Sequence, residues 1–448
     1  MTSHMTLFRR IALAALVCCG VLFVAPARPA HAVTIDIYGP GQKALRLAMA
    51  KPMGTDTTSA IPDMSTDLQR LVRDNLSFLP FFDIIPADTI LGGDALDAYQ
   101  GEGVDFRRFQ IAGADLLVTT GWPALQPGQG QSVELRAYEV FTRRLVVGKA
   151  YFDLKPDDMP LVADKFCAAL METLTGHGDF FLSTLAFVRR LGTGAGKQVW
   201  TARPTGRDLT QISHLQGICL SPSWSNDGRY IIFTHMGERY HSMGVYDRRT
   251  GRVHQVKYPG NTIIGPTFTP ENKVAVSLAS GGNPDIYLLN HVFQKEKVLV
   301  ENWAIDVSPR FSRDGSQMAF VSSRLGNPHI FIKDMATGKE RRLTMEGNYN
   351  TDPSISPYGK LVAFVRRTNV GHRIFIMDVA TGKERQITFG PGNDEQPAFG
   401  PDGYFIVFTS SRSGRQQLYF TTRHGSEAKH IPTGDGEASH PAWGHIPQ

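Results

Sequence analysis

A motif of the form Pro-x-apolar-small recurs six times in the second half of the chain. It reads Pro222-Ser-Trp224-Ser, Pro266-Thr-Phe268-Thr, Pro309-Arg-Phe311-Ser, Pro353-Ser-Ile355-Ser, Pro397-Ala-Phe399-Gly and Pro441-Ala-Trp443-Gly. Successive prolines stand 44, 43, 44, 44 and 44 residues apart. A period this regular means a repeated supersecondary unit, because a unit so small buries its apolar face only by stacking on its neighbours.

One period resolves into four short strands. After the motif comes a turn, Asp227-Gly228, Asp314-Gly315 or Asp402-Gly403, and Asp-Gly suits a tight hairpin. An apolar strand follows (Tyr230–Phe233, Met318–Val321, Phe405–Phe408), then a polar turn and a second strand (His329–Lys333, Arg373–Met377). A more polar outer strand, Glu340–Thr344 or Glu384–Thr388, completes the set. Four antiparallel strands per period of this length make a β-propeller blade, and the absence of any Trp-Asp dipeptide argues against the WD40 type. The last motif, at Pro441, has no blade after it. Upstream, Thr184–Val188, Lys197–Thr201 and Asp208–Ile212 form a blade without a motif. Joined, they give a six-bladed β-propeller closed by pairing of its N- and C-terminal strands, with no open sheet edge.

Three segments are expected: a signal peptide over 1–32, an N-terminal α/β (or α+β) domain over 33–178 and the propeller over 179–448. Arg9-Arg10, the 14-residue apolar run Ile11–Val24 and Ala30-His31-Ala32 have the order of a cleaved export signal. Export implies a periplasmic destination, and no later run is long and apolar enough to span a membrane. The rest carries 44 basic and 42 acidic residues, a balance that gives no electrostatic case for nucleic acid or anionic lipid. Cys167 and Cys219 read as two separate thiols, not a disulfide framework. In the N-terminal domain, helices are expected over Asp67–Leu79, Asp105–Ala114 and around Val162–Leu174. Strands are expected at Phe82–Ile85, Asp115–Thr119, Ser132–Tyr138 and Leu145–Tyr151. Ahead of them Val33-Thr34-Ile35-Asp36-Ile37-Tyr38 alternates apolar and polar for most of its length and meets Gly39-Pro40-Gly41. Such a strand either joins its own sheet or adds to a partner's.

No catalytic motif stands out. There is no Gly-x-Ser-x-Gly elbow. Gly192–Lys197 lacks the first glycine and the final Ser/Thr of a phosphate loop. His235 and His241 flank a turn without metal-ligand spacing, and read as solvated turn residues. No cofactor is called for. The enzymatic alternative is an exported propeller enzyme of the glycosidase or lactonase type, with carboxylates meeting in the channel. Otherwise the working surface is the set of connections between blades, at 213–221, 260–265, 301–308, 345–352, 390–396 and 433–440. Their candidate contact residues are Asn261, Trp303, Asn348, Tyr349, Asn350, Asn393, Asp394, Glu395 and His440.

The signal, the N-terminal strand, the mixed domain and the motifs Ser308–Gly315, Pro397–Gly403, Gly282–Tyr287 and Pro441–Trp443 together resemble the TolB family of the Tol-Pal system over essentially the whole chain. The resemblance implies a non-enzymatic role. The inter-blade loops would receive the peptidoglycan-associated lipoprotein Pal, and Val33–Gly39 would engage TolA. The system would serve outer-membrane integrity and constriction at division, with Pal binding coupled to availability of the N-terminal strand.

Overall fold

The computed structural model describes residues 44–56, 59–125, 128–192, 194–258, 262–279 and 282–444. The signal segment, Val33–Gly39 and Asn261 lie outside these residues.

The N-terminal part is a mixed sheet with helices packed on it. Its strands are β1 (Leu45–Met49), β2 (Met53–Gly54), β3 (Phe82–Ile84), β4 (Leu116–Trp122), β5 (Gln131–Glu139) and β6 (Arg144–Leu154). The order is β3-β1-β4-β5-β6, with β2 beside β4. β1 runs parallel to both its neighbours, while β4, β5 and β6 form an antiparallel meander. Helices α1 (Met64–Phe78) and α3 (Met159–Thr175) supply Leu68, Val72, Leu76, Val162, Phe166 and Leu170 to the core. The short α2 (Phe106–Ile111) closes the other face through Phe106 and Phe109. Gly176 ends α3 in the left-handed conformation at φ 71°, where a side chain would be strained. Strand β1 was not anticipated. It is short and central, so both faces are covered and Leu45-Arg-Leu-Ala-Met49 shows no clean alternation.

The remainder forms six four-stranded sheets. Blade I joins Glu437–Gly444 to Thr184–Arg190, Gln198–Ala202 and Thr210–Gln211, so the ring is closed by the C-terminal strand. Blade II begins at Ile218, blade III at Thr262, blade IV at Asp306, blade V at Asn350 and blade VI at Asp394. The motif prolines therefore lie inside the inner strands, not at their start. The tight turns repeat their geometry: Gly228, Gly315, Gly359 and Gly403 are left-handed at φ 66–71°. In blade III the glycine is replaced by Asn272 at φ 59°, a residue that tolerates this region.

The two parts share one core. Phe180, in the connection, packs its ring 4.7 Å from Phe405, 5.2 Å from Phe420 and 5.8 Å from Trp443. Trp443 also donates from Nε1 to Ser183 Oγ at 2.6 Å. Buried Asp164 of α3 pairs with Arg207 of blade I and accepts from Asn75 at 2.9 Å. Burial still holds the Asp164 carboxyl above its ordinary range, against the pull of Arg207 and Asn75. Cys167 and Cys219 are free, buried thiols. Burial raises both, Cys219 to about 11, which makes them poor nucleophiles.

Candidate interaction face

In an up-and-down blade, the turn between second and third strands and the connection to the next blade fall on the same face. Exposed large apolar side chains gather there on blades IV and V. Trp303, 73% exposed, and Ile305 lie on the connection into blade IV, and Leu325 on the blade IV turn. Met345 lies on the connection into blade V, Val370 on the blade V turn, and Phe389, 63% exposed, on the connection into blade VI. Fewer lie elsewhere on this face: Leu191 and Tyr240 on the turns of blades I and II, and Ile218 at the start of blade II. The six on blades IV and V form the denser set, and an apolar set rimmed by polar loops is the signature of a docking surface. Of these six, the sequence reading had selected only Trp303.

Beside this patch the structure brings three predicted residues together. Tyr349 stacks on His372 with ring centroids 6.2 Å apart and planes 5° from parallel, and the Arg367 guanidinium lies 5.0 Å from the Tyr349 ring. His372 Nδ1 pairs with the Glu395 carboxylate, and its backbone N–H donates to Asn393 Oδ1 at 2.9 Å. A half-buried aromatic, cationic and anionic cluster thus spans blades V and VI. Asn348 is exposed next to Tyr349.

Other predicted residues do not belong to this face. Asn350 and Asp394 are the first residues of inner strands, not loop residues, and both are fully buried. Asn350 accepts from Arg366 Nε at 2.9 Å. Asp394 accepts from Ser410 Oγ at 2.6 Å and Arg412 at 2.9 Å. Asp306 plays the same part in blade IV, with Arg324 at 3.2 Å. The three arginines lie over the aromatic pairs of their own blades, 4.5 Å above Phe375, 4.8 Å above Phe331 and 4.9 Å above Tyr419. These groups pin the base of each connection through their hydrogen bonds to the arginines. His235 is also corrected. It is a buried strand residue, hydrogen-bonded to Ser242 Oγ at 3.0 Å and the Gln216 carbonyl at 2.7 Å.

His440 faces the channel. The residue before each motif proline (Ser221, Gly265, Ser308, Asp352, Gln396 and His440) has φ between 49 and 59°. Each sits where the pairing of first and second strands shifts register. These bulges ring a cavity of about 190 Å³. The residues after the prolines are Ser223, Thr267, Arg310, Ser354, Ala398 and Ala442, so one long side chain stands among five small ones. His440 Nε2 meets Gln396 Nε2 at 2.9 Å, which requires the ring nitrogen to accept. Burial, with the charges of Lys197 and Arg310, pushes its pKa down to about 4. Asp352 is the acid of the cavity. Burial and the Glu395 charge raise it, against Arg310. Its neighbour Glu395 is held by His372, so the two acids have separate partners. Among the described residues no three His, Cys, Asp or Glu side chains are grouped to hold a metal, and no helix is long and apolar enough to cross a membrane.

Comparison with known proteins agrees with this architecture. A family model described as "TolB beta propeller domain" matches residues 171–447. A Tol-Pal system protein TolB of Nitratidesulfovibrio vulgaris is 51% identical over 72% of this chain and 72% of its own length. A TolB homolog of Chlorobium luteolum is 31% identical over 65% of this chain and 64% of its own. In fold, the chain is similar to the crystal structure of TolB from Acinetobacter baumannii, with TM-score 0.76 and 22% identity, over 91% of this chain and 98% of that one.

Proposed function

The chain belongs to the TolB family, and on that premise we propose that it is a periplasmic, non-enzymatic adaptor of the Tol-Pal system. The blade IV–V face docks the peptidoglycan-associated lipoprotein Pal, and Val33–Gly39 adds as a strand to TolA. Through these contacts the protein supports outer-membrane integrity and constriction at division. The observation that carries the docking assignment is the concentration of Trp303, Met345, Val370 and Phe389 on blades IV and V, beside the Tyr349–His372–Glu395 group. Apolar and aromatic anchors ringed by polar groups dominate binding energy at protein interfaces. Asn348, Tyr349, Asn393 and Glu395 serve as its polar rim, His440 remains a candidate nearer the channel, and Asn261 a candidate on the sequence alone.

The strand assignment is tested by deleting residues 33–39 from the exported form. The truncated protein is expected to keep its unfolding midpoint and its Pal affinity while losing TolA. Undiminished TolA binding would sink the assignment.

A further inference from the structure

A further cavity bears no relation to the docking face. It lies between blades II and III on the opposite face and encloses about 630 Å³, a volume within the usual range of small-molecule sites. Its walls are Tyr230, Val253, Phe268 and Phe293.

The groove is open here for a reason visible in the repeat. Arg341 and Arg385 each stand 32 residues after a motif proline. Each reaches across to the next blade, Arg341 to the Val379 carbonyl at 2.7 Å and Arg385 to the Arg423 carbonyl. At the same position blade II has the shorter His254, which makes no such bridge. The facing turn is instead held by Tyr258, whose hydroxyl donates to the Phe293 carbonyl at 2.6 Å. Phe293 itself is left-handed at φ 61°, an unusual conformation for a bulky residue, and its ring forms one wall.

The rim is charged unequally. Its two acids are committed: Asp247 pairs with Arg229 at 3.0 Å, and Asp227 accepts from Ser225 Oγ at 2.5 Å and the Arg229 N–H at 3.0 Å. Arg252, beside exposed His254 and His291, makes no hydrogen bond or ion pair among the described residues.

We propose that this groove is a binding site for a small aromatic or aliphatic carboxylate, with the apolar body between Tyr230, Phe268 and Phe293 and the anionic group on Arg252. The site is remote from the docking face, so it stands or falls independently of the function proposed above.

The probe is 1-naphthoate, titrated calorimetrically into the exported form, with 1-naphthalenemethanol as the neutral control. The expected result is one saturable site with Kd below about 1 mM, and about tenfold weaker binding of the alcohol. Arg252→Gln, an exposed change that leaves the fold alone, is expected to bring naphthoate down to the affinity of the alcohol. Val253→Trp, which fills the groove, is expected to abolish binding of both. Absence of saturable binding up to about 5 mM, or naphthoate affinity unchanged in Arg252→Gln, would overturn the proposal.

Discussion

Trp443 is the residue through which ring closure and the N-terminal part are tied together, so Trp443→Ala carries a definite cost. The side chain is partly buried, in contact with the rings of Phe180 and Phe405 and bonded to Ser183 Oγ. A fully buried aromatic truncated to alanine costs about 3–5 kcal/mol, and partial burial places this one near 3. The lost hydrogen bond adds about 1 kcal/mol. Ser183 Oγ keeps its bond to the Phe180 carbonyl at 2.8 Å, so no orphan hydroxyl adds a further penalty. The expected total is about 4 kcal/mol. Trp443→Phe keeps most ring contact and loses the hydrogen bond, for about 1–1.5 kcal/mol. Guanidinium unfolding followed by far-UV circular dichroism reads both variants without relying on tryptophan emission. A loss under about 1 kcal/mol for Trp443→Ala, or equal losses for the two variants, would refute the role of Trp443 as a latch.

Three further outcomes follow from the geometry. Asn272→Ala is expected to cost about 1–2 kcal/mol, because it strains the left-handed position and removes the acceptor of the Asn226 N–H at 3.0 Å; the unfolding midpoint reads it. His440, neutral in the fold with its pKa pushed to about 4, is protonated first in the unfolded chain. Its contribution is therefore present above about pH 6.5 and lost as pH falls toward 4, and His440→Gln is expected to flatten stability across that window. Burial raises Asp402 to about 6, which has the opposite sign: its carboxylate costs stability above that pH, so Asp402→Asn is expected to stabilise at pH 7.5 and not at pH 4, by equilibrium unfolding at the two values.

The closed ring was legible because a 44-residue period, a widowed motif at Pro441 and a blade without a motif at Thr184 leave few ways to build six equal wedges. The interface was only half legible. Asn and Asp in the connections were read as surface groups, yet the identical residue types at Asn350 and Asp394 are buried acceptors for arginines that arrive from the next strand. Only the register of first and second strands reveals this. Met345 and Phe389 were passed over because an apolar residue after a strand looks like the end of that strand. Each directly follows a buried threonine, Thr344 or Thr388, whose hydroxyl accepts from the strand opposite, at Ile330 and Ile374. That threonine marks where the connection turns outward, and it is a signal the repeat does print. Strand β1 had no such marker.

The central claim is that the blade IV–V face receives Pal. Its most direct test is calorimetric titration of purified Pal into the exported form and into Phe389→Asp, a substitution at an exposed site. The account predicts a single saturable complex weakened by about thirtyfold or more in the variant, the loss of one interfacial anchor, with the unfolding midpoint unchanged. Equal affinity for the two proteins would contradict it.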